Sequence, residues 1–215
     1  MCCAMWQRYE TNSKGVEVFW KSWLPKPGTA TKAALFFCHG YGSTCTFFFE
    51  GIAKIIADAG YAVFAMDYPG FGLSQGLHGY IPSFDGMVDH VIEQYAAIRA
   101  MEGVRELRHF LLGQSMGGAV ALKIHLKQPE EWDGVLLVAP MCKVRSPLLI
   151  LHGAADKVTD PNVSKILYNM ANTNDKTLKL YEEGFHCILE GEPDGRISSV
   201  INDIISWLDS HSDKN

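Results

Sequence analysis

Apolar residues in this chain fall into short unbroken runs, each closed by a glycine-rich or polar turn. The runs at 33–38, 61–66, 109–112, 135–139 and 148–151 are of this kind. A strand with one solvated face alternates, so continuous hydrophobicity predicts strands covered on both faces. Stretches of helical period lie between them. These are 47–59, stopped by Gly60, then 84–101, 118–128, halted at Pro129, 161–171, which opens on proline, and a closing amphipathic helix at 197–208. Residues 177–181 supply one more strand. Residues 16–23 alternate partly and end at Leu24-Pro25, which predicts an early antiparallel strand and its turn. The βαβ succession predicts an α/β protein with a mainly parallel sheet and helices on both faces.

Composition narrows the function classes without naming one. The chain has 215 residues, 47% apolar and 20% charged, with a net charge of -5, which suits one domain spanning 1–215. There is no basic footprint for nucleic acid. Six cysteines, at 2, 3, 38, 45, 142 and 187, lack metal-ligand spacing, and a chain of this size needs no disulfide framework. They read as free thiols, with Cys2 and Cys3 as two tail thiols rather than acylation sites. No run approaches the roughly 20 apolar residues that span a bilayer. A cytoplasmic protein, in peripheral contact with membranes at most, is expected.

The polar exceptions sit where chemistry belongs in such sheets, in the loops at the carboxyl ends of strands. Gly113-Gln114-Ser115-Met116-Gly117 follows one strand and opens a helix, the G-x-S-x-G pattern of a nucleophile elbow. A serine on so sharp a turn has strained dihedrals, and side chains two positions away would strike neighbouring backbone, hence the glycines. An alcohol is a weak nucleophile and needs a base. His186, after the strand ending near Tyr181, can take its proton, and Asp156, after the strand ending at Leu151, can hold the imidazole's other nitrogen. The order Ser, Asp, His is that of an α/β-hydrolase. The oxyanion donors are expected to be the Met116 amide, at a helix N-terminus, and the Tyr41 amide in His39-Gly40-Tyr41-Gly42.

The competing residues have plainer explanations. His39 and His152 each end an apolar strand in a His-Gly pair, where they would support the loops beside the site. His109 opens a strand, and His78, His90, His125 and His211 are expected to be solvated. Asp160, directly before Pro161, fits a helix N-cap, and Asp175 fits side-chain bonding to its own turn backbone. No His-Glu-x-x-His and no suitable cysteine pair is present, so neither a metal nor a cofactor is expected.

Taken together these residues resemble the plant monoacylglycerol lipase and caffeoylshikimate esterase branch of the α/β-hydrolases. The resemblance runs through Cys38-His39-Gly40-Tyr41-Gly42, Asp67-Tyr68-Pro69-Gly70-Phe71-Gly72, the elbow with Gly118-Ala119, and His152-Gly153-Ala154-Ala155-Asp156, then on to His186 and Asp203-Ile204-Ile205-Ser206-Trp207-Leu208. It implies an α/β-hydrolase fold, a triad of Ser115, Asp156 and His186, oxyanion amides at Tyr41 and Met116, and small-molecule carboxylic esters as substrates. Monoacylglycerols, lysophospholipids and phenolic acyl esters belong to that class.

The chain departs from the branch at one place. Where the family carries a cap of many tens of residues, Pro140 to Pro147 leads straight into the next strand. Eight residues at about 3.3 Å each span roughly 26 Å, enough to return along a strand but not to build a crossover helix. The cap subdomain is therefore expected to be absent near 140–147. One sheet face is expected to be uncovered, favouring self-association, and ester cleavage to be weakened. A small-molecule receptor and a catalytically impaired cap-deleted form are the competing readings, because this fold also hosts receptors that keep triad residues.

Overall fold

The unbroken apolar runs become the interior strands of an eight-stranded sheet in the computed structural model, which describes residues 4–138, 147–171 and 173–212. The strands are β1 (Ala4–Thr11), β2 (Glu17–Leu24), β3 (Ala34–Cys38), β4 (Ala62–Met66), β5 (His109–Gln114), β6 (Gly134–Val138), β7 (Leu148–Gly153) and β8 (Lys176–Tyr181). Their order is β1-β2-β4-β3-β5-β6-β7-β8. β1 pairs antiparallel with β2, and β2 antiparallel with β4, while every later pairing is parallel. The helices are α1 (Phe48–Asp58), α2 (Phe84–Arg99), α3 (Met116–Lys127), α4 (Pro161–Met170) and α5 (Asp194–Ser212).

Strand alternation divides the core in two. Leu35, Phe37, Leu136, Val138, Leu149 and Leu151 face one layer with Ile52 and Ile56 of α1 and Ile201, Ile204 and Leu208 of α5. Ala34, Phe36, Val135, Leu137, Leu148 and Ile150 face the other, with Val88 and Val91 of α2, Val120 and Ile124 of α3 and Leu167 of α4. At about 1.5–3 kcal/mol for each large apolar side chain removed from water, this double burial is what holds the interior strands.

One element is unanticipated and two expectations are corrected. Residues 4–11 carry no assignment from the sequence, yet form β1. It is an edge strand exposed along most of its length, so no burial pattern marks it. The uncovered sheet face expected from the short join is not found at β6 and β7, whose residues are all buried. α3 packs on β6 and α4 on β7, so helices from the neighbouring connections cover the face that a β6–β7 helix would have covered. His125 is buried in α3 rather than solvated. The join itself, Pro140 to Ser146, lies outside the described residues, as do Cys2 and Cys3.

Candidate active site

The elbow is built by close backbone approach. Ser115 sits between β5 and α3 at φ 53° and ψ -122°, a region that non-glycine residues rarely occupy. A Cβ on Gly113 would lie 2.5 Å from the Gly117 carbonyl oxygen, and one on Gly117 would lie 1.9 Å from the Cys38 carbonyl oxygen. Only glycine fits either place, as the spacing predicted. The Ser115 amide donates to the Val138 carbonyl at 2.9 Å, which ties the strained turn to the end of β6. Strain of this kind, of order 1–3 kcal/mol, persists only where surrounding structure over-determines it.

The loops after β7 and β8 are joined by a second close approach. A Cβ on Gly153 would lie 2.2 Å from the Phe185 carbonyl oxygen, and the Ala155 amide donates to the Gly184 carbonyl at 2.9 Å. This contact carries Asp156 to His186. His186 Nδ1–H donates to Asp156 Oδ2 at 2.8 Å, and the Ser115 hydroxyl donates to His186 Nε2 at 3.0 Å. Because a carboxylate only accepts, the proton on His186 lies on Nδ1, leaving Nε2 free to receive one. Behind the ring, the Phe185 amide and Arg196 both donate to the Glu192 carboxylate, and Arg196 also reaches the Glu183 carbonyl. No sequence pattern signals this bracing.

Asp156 accepts five hydrogen bonds. Oδ1 takes the Val158 and Thr159 amides at 2.8 and 2.9 Å. Oδ2 takes the Thr159 hydroxyl at 2.7 Å, His186 Nδ1 and, at 3.0 Å, Nε2 of the buried His152. Burial alone would push this carboxyl up. The Thr159 hydroxyl and amide, the His186 ring and the Val158 amide outweigh it and hold Asp156 well below the usual carboxylate range. Its rival Asp160 caps α4 by accepting the Asn162 amide, as expected. Asp175 pairs with His211 instead of bonding its own turn, and His211 stacks on Trp207 rather than standing free in solvent.

The loop carrying Tyr41 lies against the serine, since a Cβ on Gly40 would be 3.3 Å from Ser115 Cβ. His39, fully buried and stacked on Tyr68, donates from Nδ1 to the Gly40 carbonyl, and its Nε2 accepts the Tyr68 amide. Burial holds its imidazole below the ordinary value, so it supports the loop as a neutral ring. Asp67, also buried, ties the Cys45 and Leu73 amides together, and a Cβ on Gly72 would collide with its carboxylate at 2.0 Å. Next to the elbow, Gln114 donates to Glu190, whose carboxyl burial pushes up. Glu190, Tyr41, Phe47 and Phe48 line a cavity of about 340 Å³ beside the site. Among the described residues no group of His, Cys, Asp and Glu has an arrangement able to hold a metal ion, and no helix is long and apolar enough to cross a membrane.

Strand order and elbow together define an α/β-hydrolase fold. The sequence profile of the serine aminopeptidase S33 family matches residues 29–147 and 143–194, and the chain belongs to that family, in its caffeoylshikimate esterase and monoglyceride lipase branch. The caffeoylshikimate esterase of Arabidopsis thaliana is 27% identical over 273 aligned positions, covering 90% of this chain and 82% of that protein. The monoglyceride lipase of Mus musculus is 23% identical, covering 92% and 88%. Among solved structures, a soluble variant of the Saccharomyces cerevisiae monoglyceride lipase with a substrate analogue superposes with a TM-score of 0.85 at 18% identity, covering 100% of this chain and 97% of that one. Est1E of Butyrivibrio proteoclasticus with ferulic acid gives 0.82 at 12%. At such identities the superpositions speak for the fold alone. An alignment of 273 positions is longer than the 215-residue chain, so these relatives carry residues that this chain lacks. The two segments of the profile match overlap at 143–147, within the join where the cap is expected to be absent.

Proposed function

We propose that this protein is a serine hydrolase that cleaves carboxylic esters through an acyl-enzyme, with Ser115, His186 and Asp156 as its triad. The observation that carries the reading is the unbroken chain from Ser115 Oγ to His186 Nε2 and from His186 Nδ1 to Asp156 Oδ2, on a strained elbow. Ser115 Oγ attacks the ester carbonyl while His186 Nε2 takes its proton, and Asp156 stabilises the imidazolium so formed. The Met116 and Tyr41 amides receive the oxyanion. Collapse of the tetrahedral intermediate expels the alcohol, which takes the proton from His186. Water, activated by the same ring, then releases the acid and restores the serine.

Residues 1–215 act as one hydrolase core without a cap near 140–147. A roof excludes water and positions a long acyl chain, so its absence weakens binding of lipid esters more than of small activated ones. Monoacylglycerols, lysophospholipids and phenolic acyl esters, the substrates implied by the branch, are the physiological candidates, met in the cytoplasm or at a membrane surface. The test is fluorophosphonate labelling of wild type and Ser115→Ala, followed by an ester panel of increasing acyl length. Labelling and short-chain turnover that Ser115→Ala abolishes are expected. A wild type that is neither labelled nor active on any short ester overturns the reading and leaves a binding protein on a hydrolase fold.

A further inference from the structure

Asp156 Oδ2 serves two histidines. His186 approaches it from the loop after β8, and His152 approaches from β7, four residues ahead of Asp156. His152 is fully buried. Its Nε2 lies 3.0 Å from Asp156 Oδ2 and 3.2 Å from the Thr159 carbonyl, both pure acceptors, so this nitrogen carries the proton. On the other side of the ring, Nδ1 lies 2.6 Å from the hydroxyl of Ser164, which is itself fully buried in α4. A serine donating to Nδ1 keeps the proton on Nε2. Both residues belong to regular elements, whereas Asp156 lies in a loop. The pair therefore links the carboxylate to the strand and helix on either side of that loop.

We infer that His152, backed by Ser164, is a positioning residue for the Ser115 chemistry, its Nε2–H holding Asp156 Oδ2 where His186 Nδ1 can reach it. The inference rests on the triad reading above. A histidine kept only to fill the core needs no carboxylate, but the two shortest bonds of this one run to the side chains of Ser164, at 2.6 Å, and Asp156, at 3.0 Å, with the Thr159 carbonyl farther off at 3.2 Å. The titratable groups acting on Asp156 are His152 from β7 and His186 and Cys187 from the loop after β8. Thr159, the remaining side chain on Oδ2, does not titrate. Removing His152 leaves Oδ2 charged with one donor fewer. Its bond from His186 then strengthens, which favours the imidazolium, while the carboxylate loses its anchor.

His152→Leu and His152→Gln separate this role from plain packing, because glutamine can place an N–H near the position of Nε2. With a short-chain ester, His152→Leu is expected to raise the acid limb of the kcat/KM profile by about half a pH unit or more. It should also lower kcat by roughly tenfold, since a small misplacement of a catalytic group is costly. His152→Gln should recover most of both. A folded His152→Leu enzyme with the wild-type limb and kcat overturns the inference, and so does a glutamine variant no better than leucine. Should His152→Leu fail to fold, Ser164→Ala leaves the ring in place but frees Nδ1, and must move the limb the same way by less. NMR titration of the His186 ring in Ser115→Ala protein, with and without the His152 substitution, reads the effect without turnover. A shifted ring titration, together with a wild type that cleaves no ester, upholds the inference and sinks the hydrolase reading. An unmoved one in an active enzyme does the reverse.

Discussion

Replacing Asp156 with asparagine tests the clamp around the carboxylate, because the five bonds decide which way the amide must point. All five partners are donors, two on Oδ1 and three on Oδ2. An asparagine with its NH₂ in place of Oδ2 would leave the His152 and His186 ring N–H groups facing a donor, while the Thr159 hydroxyl could turn to accept. With its NH₂ in place of Oδ1 it orphans only the Val158 and Thr159 amides. His152 is fully buried whereas Val158 is exposed and Thr159 half-buried, so the second orientation wins, and at the low end of about 1–3 kcal/mol for each unsatisfied group the variant loses about 2 kcal/mol. For a chain of this size each kcal/mol moves Tm by roughly 2–4 °C, so a fall of about 5 °C or more is expected in thermal melting. Because the amide oxygen still faces His186, the ring keeps its proton on Nδ1 and only the negative charge is lost. The fall in kcat should then be about a hundredfold or more, but less than the roughly 10⁴ that follows when an asparagine imposes the wrong tautomer. Steady-state kinetics on a short ester and ¹⁵N NMR of the histidine ring measure the two consequences. An unchanged Tm, or a His186 ring protonated on Nε2, refutes the reasoning.

Acid unfolding should carry the signature of the same group. A carboxylate held below its ordinary value contributes stability that is complete above the unfolded value, about pH 4, and is lost as pH falls through the folded one. The Tm gap between wild type and Asp156→Asn should therefore narrow from about pH 5 toward pH 3, and a gap that stays constant contradicts the clamp. Glu190 has the opposite sign, because burial raises it and the folded chain binds its proton more tightly. Glu190→Gln should melt higher than wild type at about pH 8 and show no gain near pH 4; equal melting at both would mean that the carboxylate is not strained by burial. Gly117→Ala, whose Cβ would lie 1.9 Å from the Cys38 carbonyl oxygen, should yield no soluble folded protein. Gly51→Ala, in α1 with nothing within 4 Å of the new Cβ, should stabilise by about 0.5–1 kcal/mol in urea unfolding.

Much of this arrangement is legible before any coordinates, for reasons that differ by element. β3, β4, β6 and β7 stand out because parallel strands buried on both faces must be apolar throughout. β1 escapes notice because an exposed edge strand is under no such demand. α3 begins at Met116, ahead of the predicted start at 118, because the elbow runs into the helix without a capping side chain. The elbow is readable because its collisions are local and only glycine avoids them. His125 and Asp175 depart from expectation because a polar side chain carries no mark of which neighbour will cover it or pair with it.

The sequence by itself determined the strand and helix succession, the need for glycine at 113 and 117, and the order in which serine, aspartate and histidine reach the strand ends. These follow from periodicity and short-range sterics, which act between residues close in the chain. Tertiary structure alone decided that β6 and β7 would be covered by α3 and α4, and that the loops after β7 and β8 would meet at Gly153. It also decided that Asp156, already held by its chain neighbours His152 and Thr159, would meet His186. Those outcomes depend on packing between segments tens of residues apart, where the partner of a given side chain is set by sheet order and helix placement rather than by its neighbours in sequence.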